Sequence, residues 1–201
     1  MKADLELVEK VRNGNRAAFS ELVTRHQRLL LRLALRMTRD LEMAEDIVQE
    51  AFIKAYQNIG RFEGRASFRS WIYQITVNTA KNKLRARKND CVDIDNINLA
   101  IPSKAEWGLM EEDVKEVIQN EIDQLPDRQR TALNLRIYED MSFKEIAQIM
   151  NCPYDTAKAN YRHALMKLRH RMEENNMLRS WNEQDRSTAV AYRGRIAEVE
   201  S

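Results

Sequence analysis

The sequence predicts an all-α protein on three observations. Only five Gly and three Pro interrupt its 201 residues. Leu, Ala, Glu, Lys, Arg and Gln, all good helix formers, dominate the rest. Apolar residues recur at intervals of three and four through most of the chain, the spacing of one helix face. With 43% apolar and 32% charged side chains, the chain can bury one ordinary core or two small ones. The opening MKADLELVEK is charged, and no run approaches the roughly 18 apolar residues a membrane span requires, so neither export nor membrane insertion is expected. Cys91 and Cys152 have no second Cys or His at ligand spacing, which argues against a zinc site or a disulfide framework and suits a reducing cytoplasm.

Taken in order, residues 4–12 form a first short helix, and Gly14 ends it in the left-handed conformation. Asn15 caps a second helix, in which Phe19, Leu22, Val23, His26, Leu29, Leu30, Leu33 and Met37 form the apolar face and which ends near Arg39. Asp40 is the N-cap of a third, with a buried stripe of Ala44, Ile47, Val48, Ala51, Phe52, Ala55 and Ile59 and with Gly60 as its stop. The loop RFEGRA follows. Ser67 then opens a helix that meets no Gly or Pro before Lys88. Residues 89–112 lose the periodicity, collect Asp and Asn, and contain Pro102 and Gly108, a linker between two domains. Beyond it Val114, Val117, Ile118, Ile122 and Leu125 resume a helical stripe, Pro126 breaks it, and residues 128–137 support another helix. The expected organisation is a domain over 1–88, a linker over 89–112, a second domain over 113–172 and a polar tail over 173–201. In that tail Ala189, Tyr192, Ile196 and Val199 are the one possible apolar stripe.

A net charge of +2 conceals a patterned distribution. Residues 61–88 carry eight cations against Glu63 alone, residues 89–113 carry seven anions against Lys104, and residues 154–171 carry five cations against Asp155. Two basic blocks thus flank an acidic one.

The sharpest motif is SFKEIAQIMNCPYDTAKANYRHALMKLR. Ser142 and Glu145 make a capping box, in which each side chain takes the other's orphan backbone N–H. Ala147 is small where two helices approach closely, Asn151 tolerates a left-handed turn, and Pro153 suits the start of the next helix. On that second helix Lys158, Arg162 and Lys167 face one way while Ala157, Tyr161, Leu165 and Leu168 pack inward. This is the pattern of a helix-turn-helix with its recognition helix in the major groove. Thr156, Lys158, Ala159, Tyr161, Arg162 and His163 are its candidate DNA contacts. A plain solvated basic helix is the competing reading.

The first basic block interleaves aromatics with cations and amides, a mixture suited to unpaired DNA, where rings stack on bases and cations hold phosphates. Phe62, Phe68, Trp71 and Tyr73 are the candidate platforms, and Lys81 is one of the cations. Trp71, Ile75, Asn78, Asn82 and Arg85 follow at steps of four, three, four and three, so they share one helix face. The same residues also fit a core with a solubilising surface. On the preceding helix Asp46, Gln49 and Glu50 form a compact polar face opposite the buried stripe, which by itself reads first as solvated surface.

From about Leu7 to Arg171 the chain resembles the extracytoplasmic-function sigma factors. DIVQEAFIKAYQNIGRFEGRASFRSWIYQITVNTAKNKL is similar to their region 2, and LPDRQRTALNLRIYEDMSFKEIAQIMNCPYDTAKANYRHALMKLR to their region 4. The resemblance implies two helical domains, a region 2 bundle and a region 4 helix-turn-helix, joined by an acidic linker that threads through RNA polymerase. It implies that Asp46, Gln49, Glu50 and Phe52 dock on core RNA polymerase. It further implies that Phe62, Gly64, Phe68 and Trp71 melt the minus-ten element, with Asn78 and Asn82 near the pocket for a flipped base, and that region 4 reads promoter DNA at minus-35. Ala157, Lys158, Ala159, Asn160, Tyr161, Arg162 and His163 stand where Val, Arg or Lys, Ser, Arg and further hydrophobic and basic residues are commoner in the family. Lys158 and Arg162 can still contact phosphate or guanine, and Ala159 offers only apolar contact. An anti-sigma factor is the usual controlling partner.

A stand-alone repressor would leave the aromatic basic block and the Asp46 face without roles. An enzyme is disfavoured because His26, His163 and His170 do not cluster with carboxylates and no glycine-rich phosphate loop is present. No catalytic residue, metal or cofactor is expected.

Overall fold

The computed structural model describes residues 2–90 and 112–174, and every regular element among them is helical. These are α1 (Lys2–Arg12), α2 (Arg16–Thr38), α3 (Leu41–Asn58), a single 3-10 turn at Ile59–Arg61, α4 (Phe68–Asp90), α5 (Glu112–Asp123), α6 (Asp127–Ile137), α7 (Phe143–Met150) and α8 (Tyr154–Glu174). Residues 89 and 90 extend α4 past its expected end, and Glu112 opens α5. The remainder of the linker, and the tail with its stripe through Ala189, lie outside the described residues.

The helix ends follow from local chemistry. Asn15 Oδ1 accepts from the Ala18 amide at 3.2 Å, Asp40 Oδ1 from the Met43 amide at 3.0 Å, and Ser67 Oγ from the Ser70 amide at 3.0 Å, three side-chain caps on otherwise orphan donors. Gly14 takes φ +88° after α1, a conformation that costs a residue with a Cβ. Gly60 is not itself the stop of α3; the helix closes by tightening into the 3-10 turn that contains Gly60. The end of α2 falls where expected, at Arg39, which is left-handed at φ 58° and whose amide bonds to the Leu35 carbonyl at 2.9 Å.

The described residues divide into two compact units, 2–90 with Thr131–Asn160 and 112–130 with 161–174. In the first, α2 packs on α1, α3 and α4, α3 packs on α4, and α7 lies against α4. The whole expected stripe of α3 is buried. On α4 the inward face is Phe68, Ile72, Tyr73, Thr76, Val77, Thr79 and Ala80; Thr76 stays satisfied by donating to the Ile72 carbonyl at 2.9 Å. In the second unit Ile118, Ile122, Leu125 and Leu168 are buried. There Arg171 reaches the Glu121 carboxylate at 3.2 Å, and Arg130 the Asp123 carbonyl at 2.9 Å.

The first unit holds a buried carboxylate. Glu139, 4% exposed, lies in the α6–α7 turn. Its Oε2 accepts from the Tyr73 hydroxyl at 2.6 Å and its Oε1 from Arg36 at 3.1 Å, while Arg69 donates to its backbone carbonyl at 2.9 Å and lies 3.5 Å from Oε2. Arg36 also stacks 4.0 Å from the Tyr138 ring. Burial, and then the adjacent carboxylate, push the Tyr73 hydroxyl far above the ordinary range, so it remains a donor. Below this cluster Gln74 bonds to the Gln148 carbonyl at 2.9 Å, which fixes α7 on α4.

Removing the carboxylate strands two cations and a buried hydroxyl. Glu139→Ala should therefore lower unfolding stability by about 3 kcal/mol, with Glu139→Gln losing less because its amide oxygen still accepts. Urea denaturation measures both. A loss under about 1 kcal/mol for Glu139→Ala would mean that water already satisfies these groups.

Candidate nucleic-acid interface

α3 carries the polar face expected opposite its stripe. Asp46 and Gln49 are exposed and Glu50 is half-buried. Phe52 is buried, with its ring edge-on to Phe19 at 6.3 Å, so it seats the helix and does not line the surface. Lys83 of α4 lies 3.5 Å from both Asp46 Oδ2 and Glu50 Oε2, and Lys54 pairs with Glu50 at 2.6 Å. The Lys54 hydrogen bond in particular holds the Glu50 carboxyl below its ordinary value. One cation of the basic block is thus turned toward the acidic face. Ile53 and Tyr56, 51% and 43% exposed, extend the same face with apolar surface. The sequence reading passed over both, although their three- and four-residue steps from Gln49 and outside the stripe were visible.

At the start of α4 three rings cluster. Phe62 stands 5.1 Å from Trp71 and 6.1 Å from Phe68, and Phe68 stands 5.8 Å from Trp71. Phe62 and Phe68 are buried, whereas Trp71 is only half-buried, so the two phenylalanines support Trp71 from below. Gly64, between them in sequence, takes φ +72°. Further along, Ile75 is half-buried, Asn78, Asn82 and Arg85 are exposed, and Lys81 is half-buried. The face predicted from spacing therefore exists as a surface that begins at Trp71. Tyr73 is placed otherwise. Its side chain is fully buried and bonded to Glu139, not on a surface where a base could stack.

The helix-turn-helix has the geometry its motif requires. Ser142 Oγ accepts from the Glu145 amide at 3.3 Å, and Glu145 Oε2 accepts from the Ser142 amide at 2.9 Å. Burial works against the charge of Glu145, but these Ser142 bonds hold its carboxyl below the ordinary value. Asn151 takes φ 49° as the left-handed C-cap of α7. On α8 Lys158, Ala159, Arg162 and His163 are exposed, Thr156 is half-buried, and Ala157, Tyr161 and Ala164 are buried. Tyr161 belongs to the inward side of the helix, and Lys158, Ala159, Arg162 and His163 form the outward one. No helix among the described residues is long and apolar enough to cross a membrane.

Comparison with known proteins gives the same reading. Residues 22–89 match the sigma-70 region 2 family and residues 115–168 match sigma-70 region 4. The RNA polymerase sigma-H factor of Pseudomonas aeruginosa is 37% identical over 167 residues, covering 78% of this chain and 86% of that protein. The ECF RNA polymerase sigma-E factor of Escherichia coli is also 37% identical, covering 78% and 87%. The sigma factor RpoE of Bartonella quintana, solved in complex with the anti-sigma factor NepR, superposes with a TM-score of 0.63 at 22% identity over 76% of this chain and 94% of that one, a likeness of fold. With both matched regions in family order and two relatives aligned over most of their length, the chain belongs to the ECF-type sigma factors of RNA polymerase.

Proposed function

We propose that this sigma factor, which binds core RNA polymerase and directs promoter-specific transcription initiation, divides that work among three surfaces. The polar face of Asp46, Gln49 and Glu50, seated by Phe52, docks on a basic surface of the polymerase. The face that begins at Trp71 and continues through Asn78, Asn82 and Arg85 takes the melted minus-ten strand, with Lys81 nearby and with Phe62, Gly64 and Phe68 shaping its start. The outward side of α8, with Thr156, Lys158, Ala159, Arg162 and His163, reads minus-35 as duplex. In this reading residues 1–88 and 113–172 are the two working domains, joined by the acidic linker at 89–112, and the polymerase supplies all the chemistry. A cytoplasmic location and control by an anti-sigma factor, the partner of the Bartonella relative, complete it.

The observation that carries this reading is Trp71, a half-exposed ring braced by two buried ones at the head of a face of exposed amides and a cation. A ring so placed stacks on an unpaired base with about 1 to 3 kcal/mol. Amides beside it can read the Watson–Crick edge of a base that has left the duplex and have no access to one still paired.

Asp46→Arg combined with Glu50→Arg should abolish core polymerase binding in a pull-down at moderate salt. It should leave the thermal midpoint nearly unchanged, because ion pairs this exposed contribute little to stability. Undiminished binding would place the docking face elsewhere. The two DNA faces are separable with randomised promoter libraries, one for each element. Arg162→Ala should weaken the upstream element by about 1 to 3 kcal/mol if the contact is to a base, and leave downstream preference alone. Asn78→Ala should relax selectivity at one downstream position only. Crossed effects would overturn the division of labour.

A further inference from the structure

We infer that Arg12, the last residue of α1, is a positioning residue for promoter melting, because it ties α1 to the loop that places Phe62 beneath Trp71. This rests on the melting role proposed for Trp71. α1 lies outside the segment that matches sigma-70 region 2, which begins at residue 22, so the family match gives it no task.

The guanidinium of Arg12 is engaged on all three nitrogens. Nε donates to the Ile59 carbonyl at 3.2 Å, one terminal nitrogen donates to the Phe62 carbonyl, and the other meets Glu9 Oε1 at 2.6 Å. The first two acceptors are the carbonyls of the first residue of the 3-10 turn and of its C-cap, 47 and 50 residues away in sequence. The Ile59 carbonyl also accepts from the Phe62 amide at 3.2 Å, so Arg12 gives it a second donor, and a planar fork of donors can hold two carbonyls in a fixed relation where a lysine would hold one. The side chain is 29% exposed, so water competes only in part. α1 is a firm base for it, since Leu7, Val8 and Val11 are buried.

From the turn the constraint passes to the rings. Phe62 caps the 3-10 turn in an extended conformation, φ −70° and ψ 105°, and its carbonyl is the one Arg12 holds. Its buried ring lies 5.1 Å from Trp71. Beyond Phe62 the loop has little of its own to fix it: Gly64 takes a left-handed φ with nothing within 4 Å of where its Cβ would be, and Arg65 is exposed. Without Arg12 the Phe62 backbone would keep its amide bond to Ile59 but lose the tie on its carbonyl, and the ring beneath Trp71 would be held less firmly. A stacking platform acts only when held in the productive geometry. The Glu9 pair, exposed and one helical turn away, contributes little beyond orienting the fork.

The test uses the full chain with core polymerase on a promoter identified by run-off transcription of genomic fragments. Arg12→Ala, Arg12→Lys and Trp71→Ala are compared for core affinity, closed-complex formation and permanganate reactivity of the minus-ten thymines. Arg12→Ala should bind core and form the closed complex as the wild type does, yet lose about tenfold in open complex, the scale of a lost pair of ordinary hydrogen bonds. Arg12→Lys should fall between, and a template already mismatched over the minus-ten element should restore initiation by both. Wild-type permanganate reactivity in Arg12→Ala, beside a defective Trp71→Ala, would overturn the inference. So would a loss of core binding in proportion to the loss of melting, which is what a merely structural residue gives. Normal melting in Trp71→Ala would instead defeat the stacking role on which the inference rests. If Arg12→Ala does not fold, Arg12→Lys decides, and wild-type reactivity there counts against the inference.

Discussion

A carboxylate withdrawn from water persists only where donors surround it, and the first unit is organised around one such group. Glu139 draws Arg36 from α2 and Arg69 and Tyr73 from α4 to a single turn. Once those donors are fixed, the first turns of α4 are fixed too, and with them the direction in which α4 presents its other side. The arrangement is more demanding than apolar packing. A methyl group displaced by an ångström loses a fraction of its contact energy, whereas a buried charge displaced by that much loses a partner outright.

α4 therefore works as a partition. Its inner side is small or β-branched along the middle, with Thr76, Val77, Thr79 and Ala80 buried against neighbouring helices. Thr76 satisfies its hydroxyl within the helix, and Thr79 accepts from Lys54 of α3 at 3.2 Å. Its outer side runs from a braced indole through amides to cations. At its far end Lys83 and Arg87 turn to the carboxylates of α3 and of Asp40. The acidic face of α3 and the basic face of α4 are thus adjoining parts of one surface, and a basic partner that approaches Asp46 and Glu50 competes with Lys83 for them.

Much of this was legible because helix caps, apolar stripes and the capping box are local. Asn15, Asp40, Ser67 and Ser142 are read from a few neighbouring residues, and the α3 stripe from a single periodicity. The left-handed residues divide by type. Gly14 and Asn151 announce themselves, but Arg39 and Asp140, at φ 58° and 49°, are not marked out by the sequence pattern; Arg39 takes the conformation as the C-cap of α2. Spacing placed Trp71, Asn78, Asn82 and Arg85 on one face and could not rank the aromatics by depth. Phe68, Trp71 and Tyr73 are alike in type, and the tyrosine was sent inward by a carboxylate 66 residues away. No local pattern marks Glu139, nor the carbonyls that Arg12 holds, since each depends on a distant partner.

That distance also bears on the order in which the chain folds. α1 to α4 follow one another through short turns, so their mutual contacts close cheaply. The bonds of Glu139 span 66 to 103 residues, and the chain entropy lost in closing a loop of that size exceeds that of a ten-residue turn by about 2 kcal/mol. On the ribosome the separation becomes a delay. At roughly 5 to 20 residues per second, some seconds pass between the synthesis of Asp90 and that of Glu139. During them an assembly of the four helices would have Arg36, Arg69 and Tyr73 without their acceptor, and its stability would come from its apolar stripes, its caps and the polar ties among α1 to α4, such as those of Arg12 and Lys83.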